Sequence, residues 1–276
     1  MLKLMYITND PEIAIIAENA GVDRIFIDME YIGKSIRQGG MDTVQCYHTV
    51  EDVRRIKQAV NKAQIMVRVN PIHDATDEYC SSEDEINAAI EAGADLVMLP
   101  YFQSVQEVER FVKIVNGRAI VFPLLESKKG YALIDEILKV PGIDEIHIGL
   151  NDLSLDLGKK FMFELLADGT VETLCEKFRQ KGIPYGFGGI GRLGKGALPA
   201  EHVIKEHYRL GSTCAILSRS FCNASIIANK EEIKRVFDEG MKEIRALEAE
   251  CVEHQKFFTE NEATVKEKVR AIVGMR

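Results

Sequence analysis

Eight short, β-branched, apolar runs recur along this chain, and a longer segment of helical period separates each from the next. The runs cover residues 3–8, 24–28, 65–69, 95–99, 119–125, 145–148, 184–187 and 213–217. Most are hydrophobic almost throughout, the pattern of strands buried on both faces in a parallel sheet covered by crossover helices. The helical segments carry their own start and stop chemistry. Asn9-Asp10-Pro11 offers a cap and a first-turn proline, Gly21 closes that element, and Ser82 with Glu85 and Ser104 with Glu107 read as S-x-x-E capping boxes. Eight strand–helix units in 276 residues predict a (β/α)8 TIM barrel, whose usual size is about 250 residues. A doubly wound open sheet calls for fewer strands and a nucleotide-type glycine turn after the first, and Asn9-Asp10-Pro11 is no such turn.

The chain runs on past the eighth strand. This divides it into a barrel domain, residues 1–228, and a helical extension, residues 229–276, with a polar helix from Lys230 to about Cys251 and a second segment over 259–273. A helix folded back on its own barrel and an arm packed on a neighbouring subunit both fit that pattern. With 46% hydrophobic and 28% charged residues the chain can bury a real core, which excludes disordered and disulfide-scaffold classes. The net charge of −8 gives it no electrostatic reason to seek nucleic acid or an anionic membrane. No apolar run approaches the roughly 18 residues of a membrane span, and the first residues lack a secretory signal, so a cytoplasmic location is expected. The six cysteines are scattered without a C-x-x-C pair and read as reduced thiols, Cys214 as a small core residue.

In a barrel of this kind the active site lies where strands end and βα loops begin. Those positions hold Asp28 and Glu30, Arg68 and Asn70, Glu126, Asn151 and Asp152, a glycine-rich stretch over 186–196, and Ser218 with Arg219, while the opposite strand ends read as bare. Glu126 and Asp152 follow adjacent strands, and two hard oxygen ligands with room for water and substrate suit Mg²⁺ or Mn²⁺; a cap or an ion pair accounts equally for either carboxylate alone. The glycine stretch formally contains G-x-G-x-x-G, but no helix opens directly after it, so a dinucleotide fold is excluded. Its glycines would let backbone N–H groups approach an anionic group beside Arg192 or Lys195, or would form a flexible lid.

Several stretches together resemble the HpcH/HpaI aldolase family, a set of metal-dependent class II pyruvate aldolases related to the citrate lyase β subunit. They are Ile27-Asp28-Met29-Glu30, Val67-Arg68-Val69-Asn70, Ala92-Gly93-Ala94-Asp95, Leu125-Glu126-Ser127 and, most specific, Gly149-Leu150-Asn151-Asp152-Leu153-Ser154-Leu155-Asp156-Leu157-Gly158. The resemblance implies a barrel of the phosphoenolpyruvate/pyruvate-binding type, with a divalent metal, Mg²⁺ foremost and Mn²⁺ or Co²⁺ as alternatives, held by Glu126 and Asp152. It implies that Arg68 binds the keto-acid oxygen and steadies an enolate, with Asp28 or Glu30 in the proton relay. Backbone amides of Gly149, Leu150 and Asn151 are placed to hold the substrate carboxylate, as a nest of N–H groups does. The partners implied are a small 2-oxo acid such as pyruvate and an aldehyde, in a homo-oligomer, a hexamer or trimer of dimers, whose C-terminal helices are exchanged between subunits.

The chain departs from the family at several places. The family's histidine after D-x-E is replaced by Tyr31, and a phenol with a pKa near 10 is a poor proton shuttle at neutral pH. His48 is a candidate substitute, although a loop histidine commonly just faces solvent. The family's insertion between Pro100 and Val121 is missing, and the loop after the second strand instead offers Lys34 and Arg37 for an anionic group. Carbon–carbon lyase action on a 2-oxo acid is the leading expectation; a citrate-lyase-like CoA-thioester lyase and a non-catalytic ligand-binding barrel are the alternatives.

Overall fold

The computed structural model describes residues 1–33, 46–227, 229–254 and 257–275. Strands β1 (Lys3–Ile7), β2 (Arg24–Asp28), β3 (Gln64–Arg68), β4 (Leu96–Leu99), β5 (Ile120–Leu125), β6 (Ile146–Ile148), β7 (Tyr185–Ile190) and β8 (Cys214–Leu217) close a parallel barrel in chain order. The helices on its outside are α1 (Pro11–Asn19), α2 (Val50–Ala59), α3 (Ser82–Glu91), α4 (Val105–Val115), α5 (Lys128–Ala132), α6 (Ile134–Ile137), α7 (Leu150–Asp156), α8 (Glu164–Ala167), α9 (Thr170–Lys181) and α10 (Ala200–Leu210), with α11 (Lys230–Glu253) and α12 (Phe257–Gly274) forming the C-terminal extension. Lys34 and Arg37 lie outside the described residues.

The barrel is the one that the eight runs predict, with instructive differences. Asp10 caps α1 by accepting from the N–H groups of Glu12 and Ile13, and Ser104 caps α4. At α3, however, Ser81 and not Ser82 is the cap, and Glu85 turns instead to Asn70. Strand β7 continues through Gly188 and Gly189 to Ile190, where the sequence suggests a loop. The reason is packing: a Cβ on Gly186 would stand 2.3 Å from the Cys214 carbonyl oxygen and 2.8 Å from His147 Nδ1. Glycine here lets β7 approach β8 closely, and it is no turn signal.

Inside the barrel, inward positions stack in layers. Met5, Phe26, Met66, Leu96, Met98, Phe122, Leu124 and Cys214 form its apolar middle, and a larger cluster fills the space between strands and helices. Below that middle the opposite end of the barrel is far from bare. Arg24 is completely buried and forms paired hydrogen bonds of 2.8 and 2.6 Å to Glu145, with its Nε donating to Gln64 at 3.2 Å. Burial pushes the Glu145 carboxyl up, but Arg24 and then Lys3 outweigh it and hold the group below the usual carboxylate range. The residues that seal this end are widely spaced in sequence, which is why strand ends read singly do not reveal them.

The C-terminal helices lie on their own chain, α11 against α1 and α10, and α12 against α10 and α8. Buried Glu248 of α11 accepts from Leu2 N–H at 2.7 Å, from Arg245 at 2.7 Å and from the Tyr208 hydroxyl at 3.1 Å. Buried Asn261 of α12 donates to Glu206 at 2.8 Å and to the His202 carbonyl at 3.0 Å. All six cysteines are free, and Cys214 sits in the barrel interior with its thiol pushed up to about 12 by burial. Among the described residues no helix is long and apolar enough to cross a membrane.

Candidate active site

Alternation carries the site upward from the core. On β2 the inward residues are Arg24, Phe26 and Asp28; on β3 they are Gln64, Met66 and Arg68. Asp28 and Arg68 are register partners at the ends of these strands. Arg68 meets Asp28 in a bidentate pair, Nε to Oδ1 and Nη2 to Oδ2 both at 2.8 Å, and Glu30 lies 3.3 Å from its Nε. Its guanidinium carbon stands 5.4 Å above the Phe26 ring. Burial disfavours the arginine's charge, but Asp28, then Glu30 and Glu126, more than compensate, and its pKa is raised well above the ordinary value. Nη1 has no acceptor among the described residues, so one edge of the fork remains to donate to a ligand.

Glu126 follows β5, and Asp152 lies in the first turn of α7, whose N-cap is Gly149. Both carboxylates are buried. Together with Arg68, His147, Gly149, Leu150 and Asn151 they line one cavity of about 190 Å³ at the mouth of the barrel. Glu126 Oε1 accepts from the Tyr101 N–H at 3.1 Å, and Asp152 Oδ1 accepts from Asn151 Nδ2 at 3.0 Å. Gly149 is required by contact: a Cβ there would stand 2.8 Å from Glu126 Cβ and 2.9 Å from its Oε2. Two buried carboxylates facing one cavity, with space kept beside them, suit a hard cation that retains waters and binds substrate. Among the described residues no group of three His, Cys, Asp or Glu is placed to hold a metal ion.

Two residues that the sequence does not single out shape this cavity. Tyr101 adopts φ 45°, a left-handed conformation rare for an aromatic residue, and this aims its N–H at Glu126. The turn is fixed from the other side by the Ser127 hydroxyl, which donates to the Phe102 carbonyl at 2.6 Å. His147, on β6, donates from Nε2 to the Gly188 carbonyl at 3.1 Å. Burial, and more weakly Arg24, pushes its pKa down to about 4, so the ring is neutral near pH 7.

His48 is drawn into the site. The Asp28 N–H donates to its Nδ1 at 3.0 Å, which fixes the neutral ring with its proton on Nε2. With Asp28 and Arg68 it lines a second cavity of about 560 Å³, which reaches toward β1 and β8. Tyr31 instead points to the rim, its ring centroid 5.4 Å from that of Tyr79 and its N–H donating to Asn70. Its phenol is pushed further up, first by partial burial and then by Glu85, which makes it a weaker acid and leaves still less phenolate near neutral pH. Asn70 itself acts as an anchor: its Oδ1 also accepts from Ile32 N–H, and its Nδ2 donates to Glu85.

Arg192, expected beside the substrate, pairs with α11. Because β7 runs on to Ile190, Arg192 is carried past the rim, where its Nη2 meets Glu239 at 3.4 Å and Glu243 at 3.9 Å on α11. It lines neither cavity at the mouth of the barrel.

Comparison with known proteins agrees with this layout. A solved HpcH/HpaI aldolase from Desulfitobacterium hafniense superposes with a TM-score of 0.57 at 17% identity, covering 79% of this chain and 86% of that one. An HpcH/HpaI aldolase/citrate lyase family protein from Burkholderia cenocepacia gives a TM-score of 0.60 at 15% identity, with 85% and 94% covered. The citrate synthase SbnG gives 0.59 at 19% identity, with 84% and 92% covered. At these identities the likeness is one of fold. No curated protein matches the chain. The family model described as HpcH/HpaI aldolase/citrate lyase matches residues 3–165, more than half of the sequence, and the chain belongs to that family.

Proposed function

We propose that this protein is a divalent-metal-dependent aldolase that cleaves, or forms, a 4-hydroxy-2-oxo acid through the enolate of a pyruvyl unit. The observation that carries this reading is the convergence of Arg68, Glu126 and Asp152 on one cavity, with the Nη1 edge of Arg68 open to a ligand. Glu126 and Asp152 would hold the cation, and the chemistry it supplies when bound is Lewis-acid polarisation of a 2-oxo group. The first-turn N–H groups of α7, at Leu150 and Asn151, have no carbonyl partner within the helix and would donate to the substrate carboxylate. Arg68 donates to the 2-oxo oxygen and stabilises negative charge as it develops there.

In the forward direction the pyruvate methyl group loses a proton, the resulting carbon adds to the aldehyde carbon, and the aldehyde oxygen gains a proton; the reverse sequence is cleavage. No electrons are exchanged with an outside carrier. Asp28 commits both oxygens to Arg68 and Glu30 stands beside the same guanidinium, so these carboxylates set the arginine's position and charge. The mobile proton is assigned to Nε2 of His48, whose Nδ1 is held by the Asp28 N–H. The family histidine that Tyr31 replaces is thereby supplied from further along the same loop.

Release of pyruvate from a panel of 4-hydroxy-2-oxo acids, with Mg²⁺, Mn²⁺ or Co²⁺ added, tests this reading. Turnover should vanish in Glu126→Ala and fall by about 10²–10⁴-fold in His48→Gln. Metal binding without turnover of any panel member would favour a ligand-binding barrel. Turnover of thioesters alone would favour a citrate-lyase-like enzyme.

A further inference from the structure

The larger cavity meets the enolate chemistry only at its His48, Asp28 and Arg68 end, and it shares Arg68 and Ile216 with the smaller one. Its far wall is built from the loops after β1 and β8, where Thr8, Asn9, Ser218 and Asn223 stand among apolar neighbours such as Ile13 and Leu217. Among the described residues, the charged ones that line it are Asp10, Asp28, Arg68 and Arg219, two of each sign. Asp10 is spent on capping α1, and Asp28 on Arg68.

The hydrogen-bonding groups on that wall are only partly used. The Thr8 hydroxyl accepts from the Asp10 N–H, but its own proton has no acceptor among the described residues. Asn223 accepts at Oδ1 from the Ser225 hydroxyl, while its Nδ2 protons have no described acceptor. The Asn9 side-chain amide has no described partner, and only its backbone carbonyl is engaged, by Arg55. Hydroxyl and carboxamide groups left in this state donate and accept at close range, and they match the alcohol groups of a small polyhydroxylated chain. Arg192 pairs with Glu239 and Glu243 of α11, although its charge still reaches Cys222 on this wall.

We infer that this second cavity is the acceptor subsite, and that Thr8, Asn9 and Asn223 select an uncharged, hydroxyl-bearing aldehyde. The inference rests on the aldolase reading. The aldehyde carbon would sit at the Arg68 end, against the enolate, with its hydroxylated tail along the β1 and β8 loops. A site built to hydrogen-bond hydroxyl groups discriminates strongly against analogues that lack them.

The two half-reactions allow a clean test. Exchange of pyruvate methyl protons with D₂O, followed by NMR on the metal-loaded enzyme, reports the enolate half alone. Aldol addition is then measured with glyceraldehyde, with propionaldehyde as the apolar analogue and 4-oxobutanoate as the anionic one. Glyceraldehyde should be preferred, and Thr8→Val and Asn223→Leu should each raise its KM by about tenfold, leave the KM for propionaldehyde within about twofold, and retain pyruvate exchange. Glyceraldehyde should also slow alkylation of Cys46, a half-exposed cysteine that lines this cavity. Absence of exchange in the unaltered protein would sink the aldolase reading itself. Normal exchange with unchanged glyceraldehyde KM in both variants would overturn the subsite assignment, and a preference for 4-oxobutanoate abolished by Arg219→Gln would overturn its uncharged character.

Discussion

Single buried groups set how this protein responds to acid. His147 is held neutral in the barrel, its pKa pushed down to about 4, and His207, stacked on Phe187 with ring centroids 3.9 Å apart, is pushed to about 3 by burial and then by His147. In the unfolded chain both return to an ordinary value near 6.5. Below that pH the unfolded state binds protons that the folded state refuses, so stability is complete above about 6.5 and falls as the pH drops toward 4 and then 3. Each group contributes on the order of 3 kcal/mol across its range. Thermal melts between pH 7.5 and 4.5 should show a steep acid limb, and His207→Leu should flatten it. Nε2 of His207 has no partner among the described residues, so the substitution loses only the Nδ1 contact with the Ser212 hydroxyl at 2.8 Å. An acid limb of unchanged slope would remove His207 from this account.

Elements show what the sequence discloses and what it hides. Buried parallel strands announce themselves because their β-branched runs are dictated by burial on both faces, and all eight are present close to the expected bounds. The carboxylates and arginine of the site follow from those strands, since residues just past a strand end have few places to go. The glycines of β7 mislead, because glycine marks close packing as readily as a turn, and the longer strand carries Arg192 out of reach of the cavity. Tyr101 is invisible for a different reason: its contribution is a backbone angle and an N–H, which no side-chain pattern encodes. Tyr101→Gly keeps both and relieves a strain of about 1–3 kcal/mol, so it should hold or raise the melting temperature and leave Mn²⁺ affinity intact. Gly149→Ala should instead drive a methyl group into Glu126 and weaken Mn²⁺ binding by about tenfold with the barrel still folded. Titration calorimetry of the two variants separates these outcomes.

Across the whole molecule the extension behaves as part of the barrel's closure. Arg245 of α11 donates to the Leu2 carbonyl at 2.8 Å and Glu248 takes the Leu2 N–H, so α11 secures the start of the first strand. Deleting residues 257–276 should cost about 3 kcal/mol or more in urea unfolding, because it uncovers apolar packing and leaves buried Glu206 without Asn261. Deleting residues 229–276 should leave no cooperative transition at all.

Strands β2 and β3 also face each other through two polar couples, Asp28 opposite Arg68 at one end and Arg24 opposite Gln64 at the other. A strand can slide only in steps of two residues if its inward side is to stay inward. One such step in one direction would set Asp28 beside Met66 and Glu30 beside Arg68, leaving the Asp28 charge alone in the apolar middle of the barrel. The Asp28–Arg68 contact at the barrel mouth therefore also indexes the two strands during assembly. A chain that closes out of step forfeits its chemistry in the same event.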